Sequence, residues 1–394
     1  MGSDPKDYVL KIHRNIYDQK QAGRVWYKYL RDKLVNKLKF TQSKADECVF
    51  YRGQTIYMLY TDDSILAGPS EDEINQIIKD IKKTGLDVTN KGDIQDFLRV
   101  NIDMRKDGTI HLTQPHLVDQ ILKDLNMMQE NVSPKDTPAK ASEILTRNKD
   151  GEDFDKSFHY RSIIGKFNYL EKGTRSDIAY ITHQCARFTE NPKQNHAKAI
   201  RWVARYLKGT RDKGLILKPK KGGGLDLYVD ADFSGNWDPK DPGQDRDTAC
   251  SRHGYIIMYD GCPILWKSQL QTEVSMSSTK SEYIGLSYAL REVIPIMELL
   301  KELKRMKFPI SQVTPKMHCR VFEDNSGALE MAKNHKYRPR TKHLHVKFHH
   351  FRDYVERGEI SIHKIDTTEQ LADYLTKPVN KDILEYLRYK VMGW

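Results

Sequence analysis

Carboxylates placed at the ends of apolar segments are the residues of this sequence best suited to metal chemistry. Asp230 closes the apolar run 225–229, which reads as a strand after the glycine break at 222–224. Glu282 lies at the start of a long helical pattern, Asp324 ends another apolar strand, and Asp373 begins a further helix. Each has an ordinary explanation when taken alone. An Asp at a strand end is commonly a turn residue, Thr279-x-x-Glu282 fits a capping box, Asp324-Asn325-Ser326 fits a helix cap, and Asp373 fits a surface turn. Asp62 and Asp63 form a further pair, at the turn between two apolar strands within 56–68. Adjacent carboxylates there suit a hairpin. Because the flanks are apolar enough for both strands to be buried, they also suit metal-assisted nucleotidyl transfer.

A second group of candidates is cationic. Between residues 191 and 224 ten Lys or Arg stand against Asp212 alone. Within this run Ala199, Trp202, Val203, Tyr206 and Leu207 make an apolar helix face. Lys198, Arg201, Arg205 and Lys208 line a second face, with Arg211 just beyond. A charge run is usually a solvated face, but this ratio on an aromatic-bearing helix favours contact with a phosphate backbone.

The elements that must position these groups follow from periodicity and punctuation. A short strand over 8–12 precedes a core helix in which Val25, Tyr29, Leu30, Leu34 and Leu38 recur at helical spacing. Residues 71–83 form an amphipathic helix with Ile74, Ile77, Ile78 and Ile81 on one face, and 116–125 repeat the theme. Residues 129–156 are rich in Asn, Ser, Pro, Lys and Asp and read as a mobile linker at a domain boundary. Three helices follow, over 160–170, 177–188 and 196–207. Beyond the strand at 225–229 lies an insertion, 235–252, dense in Asp, Pro and Gly. Strands over 253–259 and 263–267 lead to a long helix over 279–303, which Pro295 is expected to kink or interrupt. A strand over 317–322, a short helix over 327–334 and a strand over 360–365 complete the order.

Composition bounds the class. At 394 residues, 38% hydrophobic and 30% charged, the chain is globular, with room for two or three cores. Net charge of +11 and a pI near 9.1 point to a polyanionic partner, with nucleic acid first. Cys48, Cys185, Cys250, Cys262 and Cys319 are odd in number and form no CxxC pair, so neither a disulfide framework nor a structural zinc site is indicated. The opening MGSDPKDY lacks the apolar run of a signal peptide, and Lys6 breaks a myristoylation pattern. With no apolar run long enough to span a bilayer, the expectation is a soluble intracellular protein without a membrane partner.

Taken in order, an acid ending a first strand, a Glu early in a first helix, and Asps after a fourth strand and before a last helix resemble the ribonuclease H fold. The words YVDADFSG (228–235), SSTKSEY (277–283), FEDNSGALEMA (322–332), RTKHLHVKFHHFRDYVERGEI (340–360) and QLADYLTKP (370–378) resemble that domain in copia-type LTR retrotransposon Pol polyproteins. Upstream, KIHRNIYDQKQAGRVWYKYL (11–30) and YTDDSILAG (60–68) resemble the second half of a reverse transcriptase palm. YRSIIGKFNYL, TRSDIAYITHQCARF and RYLKGTRDKG resemble the region connecting palm to nuclease. The resemblance implies an α+β and α/β architecture. A truncated palm and thumb would occupy 1–128, a linker 129–156 and a basic helical connection 157–224. A ribonuclease H-like mixed sheet with flanking helices would fill 225–378, and a C-terminal helix or tail 379–394.

The same resemblance implies hydrolysis of the RNA strand of an RNA–DNA hybrid, with Asp230, Glu282, Asp324 and Asp373 as catalytic metal ligands. If these four converge, one pair about 4 Å apart repels by about 4 kcal/mol at an effective dielectric of about 20. Several such pairs rival a domain's net stability of about 5–15 kcal/mol, so cations are required. Oxygen-only ligation points to Mg²⁺ or Mn²⁺, not zinc. Two ions bridged by Asp230 would activate a water and stabilise the leaving 3′ oxygen, and a 2′-hydroxyl contact would select RNA.

In the palm the resemblance carries metal ligation to Asp62 and Asp63 and template or nucleotide positioning to Gln21. Arg340, Lys342 and His343 join Lys198, Arg201, Arg205, Lys208 and Arg211 as nucleic-acid contacts. His343, His345, His349 and His350 read as an exposed patch on that surface, not as a zinc site. His363 stands where some ribonucleases H keep a mobile histidine that aids product release. Implied partners are an RNA–DNA hybrid, a template–primer duplex, and the integrase and N-terminal palm of a longer polyprotein. The implied location is the cytoplasm, in virus-like particles, or the nucleus. Three departures weigh against polymerisation by this chain alone. The family's third metal-binding Asp lies upstream of this segment, and Asp18 and Arg99 stand where the family carries Gly. The same departures favour the alternative of a non-catalytic remnant that only binds nucleic acid.

Overall fold

Apolar residues at three- and four-residue spacing build the first helix, α1 (Ala22–Asp32), which passes directly into a π-helical turn at Lys33–Lys37. The computed structural model describes residues 11, 13, 15–16, 18–141, 143–237, 246–310, 317–333 and 349–394, so the strand expected over 8–12 lies outside the described residues. Of the apolar series read along α1, Leu30 and Leu34 are buried, whereas Val25 and Tyr29 are exposed. Strands β1 (Thr41–Gln42), β2 (Val49–Arg52), β3 (Thr55–Tyr60) and β4 (Asp63–Ala67) form an antiparallel sheet in that order. Helix α2 (Glu71–Lys83) starts at Ser70, whose Oγ accepts from the Glu73 N–H at 3.2 Å. Acids in its first turn and Lys82 and Lys83 in its last complement the helix dipole. Its Ile77 and Ile81 close a core with Leu30, Leu34, Phe40, Phe50, Tyr57 and Leu59. The expectation that both strands of the β3–β4 hairpin are buried is corrected. Tyr57 and Leu59 face the core while Met58 and Tyr60 are exposed, because one face of an antiparallel edge pair can meet solvent.

These elements belong to one compact unit, Met1–Gly92 with Glu298–Ile310; the second is Asp93–Met297 with Ser311–Trp394. The second unit opens with β5 (Asp96–Phe97), β6 (Val100–Met104) and β7 (Ile110–Thr113), which pair antiparallel with β8 (Leu215–Leu217). Between β7 and β8 run α3 (Pro115–Asp124), α4 (Tyr160–Gly173), α5 (Ala179–Ala186) and α6 (Gln194–Gly209). The described residues of 129–156 contain no helix or strand, yet Ala139 and Leu145 are buried in the core between these helices.

The rest of the second unit is a mixed sheet with flanking helices, as expected for 225–378. Its strands are β9 (Leu225–Asp232), β10 (Arg252–Tyr259), β11 (Cys262–Leu270), β12 (Cys319–Glu323) and β13 (Ile360–Lys364), in the spatial order β11-β10-β9-β12-β13. The first three are antiparallel, and β12 lies parallel to both β9 and β13. Between and after them come α7 (Ser278–Arg305), whose residues from Glu298 on are assigned to the first unit, α8 (Ser326–Lys333), α9 (Arg352–Glu356) and α10 (Lys381–Met392). Pro295 does not interrupt α7; Val293 and Met297 on either side of it are buried, and that packing offsets the missing backbone donor. One core joins the helices to the sheet, running from Phe167, Ile200 and Val203 to Ile256, Tyr374 and Leu387. Inside it Arg175 donates to Asp177 at 2.9 and 2.8 Å, and Tyr206 donates to the same carboxylate at 2.5 Å. Among the described residues no helix is long and apolar enough to cross a membrane.

Candidate metal centre

The register of two strands brings the first acids together. Phe322 pairs with Tyr228 across the parallel β9–β12 ladder, so two residues further on Asp324 comes level with Asp230. Alternation along β9 buries Leu225, Leu227 and Val229 on one face and puts Asp230 on the other. Glu282 sits in the first turns of α7, which approaches the sheet closely at Gly285. A Cβ there would meet the Cβ of His253 at 3.1 Å. Carboxylate oxygens of Asp230, Glu282 and Asp324 all lie within 4.8 Å of one another. Asp373, in a single 3-10 turn (Asp373–Leu375) and not at the start of a longer helix, lies outside that trio, yet after burial its charge is the largest influence on Asp230.

The segment carrying Asp373 is fixed by its own polar groups. Gln370 Nε2 donates to the backbone O of Val229 at 2.7 Å and of Phe322 at 3.4 Å, tying this segment to both acid-bearing strands. Thr376 Oγ1 donates to Asp230 Oδ2, and Lys377 is ion-paired with Asp373. Gly254, paired with Asp230 on β10, leaves the room needed, since a Cβ there would stand 2.6 Å from Leu375 Cβ. Thr367 Oγ1 donates to Asp324 Oδ2 at 2.9 Å.

Burial and mutual repulsion govern the protonation of this cluster. Burial, then the charge of Asp373, pushes Asp230 up to about 7. Glu282 is raised well above the usual carboxylate range by burial and by Glu323, Asp230 and Asp324. Burial also lifts Asp373, against the pull of Lys377. Glu282 Oε2 is buried without a hydrogen-bond partner. A set of oxygens with an unsatisfied buried acceptor fits a hard divalent cation such as Mg²⁺ or Mn²⁺.

Asp62 and Asp63 are placed differently. They are exposed at the tip of the β3–β4 hairpin, and among the described residues neither belongs to a cluster of three ligand-bearing side chains. Thr61 at this tip holds φ +56°, unusual for a β-branched residue, and its carbonyl accepts from Trp26 Nε1 at 2.8 Å. Gln21 is exposed at the N-terminus of α1 and makes no side-chain cap. Asp18 and Arg99 adopt φ +69° and +60°. Leu98, at φ +51°, precedes Arg99 in the two-residue turn between β5 and β6, a geometry that favours Asn-Gly.

The cationic face of α6 is largely engaged within the chain. Arg201 Nη2 donates to Ser157 Oγ at 2.6 Å, Arg205 Nε to the Ser133 carbonyl at 2.7 Å, and Lys208 to the Gln129 carbonyl. Arg211 grips Asp119 through two bonds of 2.6 Å, and Lys193 pairs with Asp153 at 2.6 Å. Folding thus supplies acids and carbonyls that a count along the chain does not include. Lys198 is exposed.

Arg340, Lys342, His343 and His345 lie outside the described residues. His349 and His350 are not the exposed patch expected. Both are half-buried against α7, one within 2.6 Å of the Tyr283 hydroxyl and the other 3.1 Å from the Ser287 carbonyl, because Tyr283 and Ser287 lie one turn apart on that helix. His363 is exposed on β13, 2.6 Å from Ser361 Oγ.

Four residues of the centre escape a reading of the sequence: Glu323, Gln370, Thr376 and Lys377. Glu323, beside Asp324, was visible as an acid ending the same strand. The other three act on partners that only folding brings near.

Residues 2–141 match the family described as reverse transcriptase (RNA-dependent DNA polymerase). Over 96% of its length the chain is 30% identical to the retrovirus-related Pol polyprotein from transposon TNT 1-94 of Nicotiana tabacum, covering 28% of that protein. Over 99% it is 32% identical to the corresponding polyprotein from transposon RE2 of Arabidopsis thaliana, covering 26%. The chain thus spans about a quarter of the length of these curated relatives. A putative transposon Ty5-1 protein of Saccharomyces cerevisiae is 28% identical over 73% of this chain and 90% of its own. An N-terminal RNase H domain from Mycobacterium tuberculosis aligns with 42% of this chain and 95% of its own at 12% identity and a TM-score of 0.24, a score at which the likeness carries no argument. The chain thus carries a reverse transcriptase family match over residues 2–141 and is similar, along nearly its whole length, to about a quarter of these transposon Pol polyproteins.

Proposed function

We propose that this chain is a divalent-metal-dependent ribonuclease H that hydrolyses the RNA strand of RNA–DNA hybrids. The observation that carries the reading is the meeting of Asp230, Glu282 and Asp324 oxygens within 4.8 Å, with Asp373 acting on Asp230 from the adjoining turn. These four would hold Mg²⁺ or Mn²⁺, which when bound supplies an activated water and neutralises the leaving 3′ oxygen. The chain's own groups pre-arrange that site. Thr376 fixes the orientation of Asp230, Lys377 offsets the charge of Asp373, and Gln370 holds the two strand ends and the Asp373 segment in one frame. Exposed Lys198 is the residue of the α6 face best placed to meet a phosphate backbone.

The test is Mg²⁺-dependent cleavage of a labelled RNA–DNA hybrid. Asp324→Asn should lower the rate by about 100-fold or more, with the far-ultraviolet circular dichroism unchanged. Equal cleavage by parent and variant, or binding of hybrid without cleavage by the parent, would favour a remnant that only holds nucleic acid.

The palm supports a second reading, of a non-extending polymerase half. Asp18 and Arg99 occupy left-handed conformations that cost an L side chain roughly 1–2 kcal/mol, and both add charge where the related pattern has none. Asp62 and Asp63 are exposed, outside any clustered carboxylate set among the described residues.

A further inference from the structure

The corner between α4 and α5 carries Arg175, Ser176 and Asp177, and all three are buried. Arg175 and Asp177 are engaged with each other and with α6. The guanidinium donates to Asp177 at 2.9 Å and to the Thr210 carbonyl at 3.0 Å, and the Tyr206 hydroxyl donates to Asp177 at 2.5 Å. An enclosed ion pair satisfied on several sides makes this corner a rigid support. Ser176, between the two, bonds elsewhere. Its Oγ lies 2.9 Å from the hydroxyl of Tyr374, 198 residues further along the chain, and both side chains are buried. Tyr374 is the middle residue of the 3-10 turn Asp373–Leu375. Consecutive side chains of such a turn stand about 120° apart, so anchoring one of them sets the rotation of the whole turn. The residue that follows the turn meets the metal centre. Thr376 Oγ1 is shared between the Asp373 carbonyl, at 2.9 Å, and Asp230 Oδ2.

We propose that Ser176 and Tyr374 are positioning residues of the candidate metal centre: their hydrogen bond braces residues 373–376 against the α4–α5 corner and so sets where Thr376 meets Asp230. The inference rests on the ribonuclease reading for its catalytic consequence, and goes beyond it in making the helical region a working part of the centre. Packing alone does not require the bond. Ala and Phe would keep most of the buried volume, and removing both hydroxyls together leaves neither partner unpaired.

The experiment is a double-mutant cycle on the full chain, with Ser176→Ala, Tyr374→Phe and the two combined. Amide hydrogen exchange in EDTA should be about 10-fold faster over 370–377 in all three variants, while β9 and β12 exchange as in the parent. With Mg²⁺ and an RNA–DNA hybrid, kcat should fall about 10-fold with KM for the hybrid unchanged, and the double variant should lose no more than either single one. Should Tyr374→Phe not fold, Ser176→Ala carries both readouts alone. A bond that only adds stability would leave the double variant, in which no hydroxyl is unpaired, with parental exchange over 370–377 or parental kcat; either result overturns the inference. Losses that multiply in the double variant overturn it too. If the parent cleaves no hybrid, the ribonuclease reading falls and exchange alone decides: faster exchange over 370–377 upholds the brace, and parental exchange there overturns it.

Discussion

Asp230 is where burial and charge meet most sharply. In the cation-free protein its pKa is pushed up to about 7, against 3.8 for a free side chain. The folded state therefore keeps a proton that the unfolded chain releases from about pH 4 upward. Stability from this group is fully present below about pH 4 and is lost as pH rises to about 7, by up to about 4 kcal/mol. Glu282 and Glu323 act in the same direction, while Asp177, held low by Arg175 in spite of its burial, acts in the other. Urea unfolding in EDTA should thus give a less stable protein at pH 8 than at pH 5, and Asp230→Asn should reduce that difference. An Asp230→Asn variant with the parent's pH profile would contradict a buried, repelled carboxylate. Asp230, Glu282 and Asp324, whose oxygens the fold brings together, were legible because each lies near the end or the start of an element. Arg205 and Arg211 were not, because their partners Ser133 and Asp119 are 72 and 92 residues away along the chain.

At the scale of elements, the site depends on how closely the segment at 370–377 lies against β9 and β10. Gly254 sets that approach, since a Cβ would collide with Leu375 and press on Thr376. Gly254→Ala should destabilise the protein by about 1–3 kcal/mol and weaken Mg²⁺ binding through displaced Thr376, measured by urea unfolding and calorimetry. Unchanged Mg²⁺ affinity in that variant would mean that Thr376 does not orient Asp230. Periodicity located the helices well: 71–83 was read and Glu71–Lys83 is found. It failed where the signal was not periodic. The Asp373 segment is a short turn held by Gln370.

At the scale of the molecule, two compact units carry two sets of acids with different prospects. The second holds the clustered carboxylates, and the first presents Asp62 and Asp63 in solvent. Primer extension on an RNA template is accordingly expected to be absent with this chain alone, and measurable extension would overturn that view of the palm. The order of strands and helices along residues 225–378 was readable from the acids and the apolar segments between them. The division at Gly92 was not, because residues 129–156 have the composition of a linker yet place Ala139 and Leu145 in a core. A ribonuclease site exists here only if acids distant in sequence share cations. Crystals soaked in Mn²⁺ and measured at its absorption edge test this most directly. Anomalous density is expected about 2.2 Å from oxygens of Asp230, Glu282 and Asp324. Density confined to Asp62 and Asp63, or none at the three clustered acids, would contradict it.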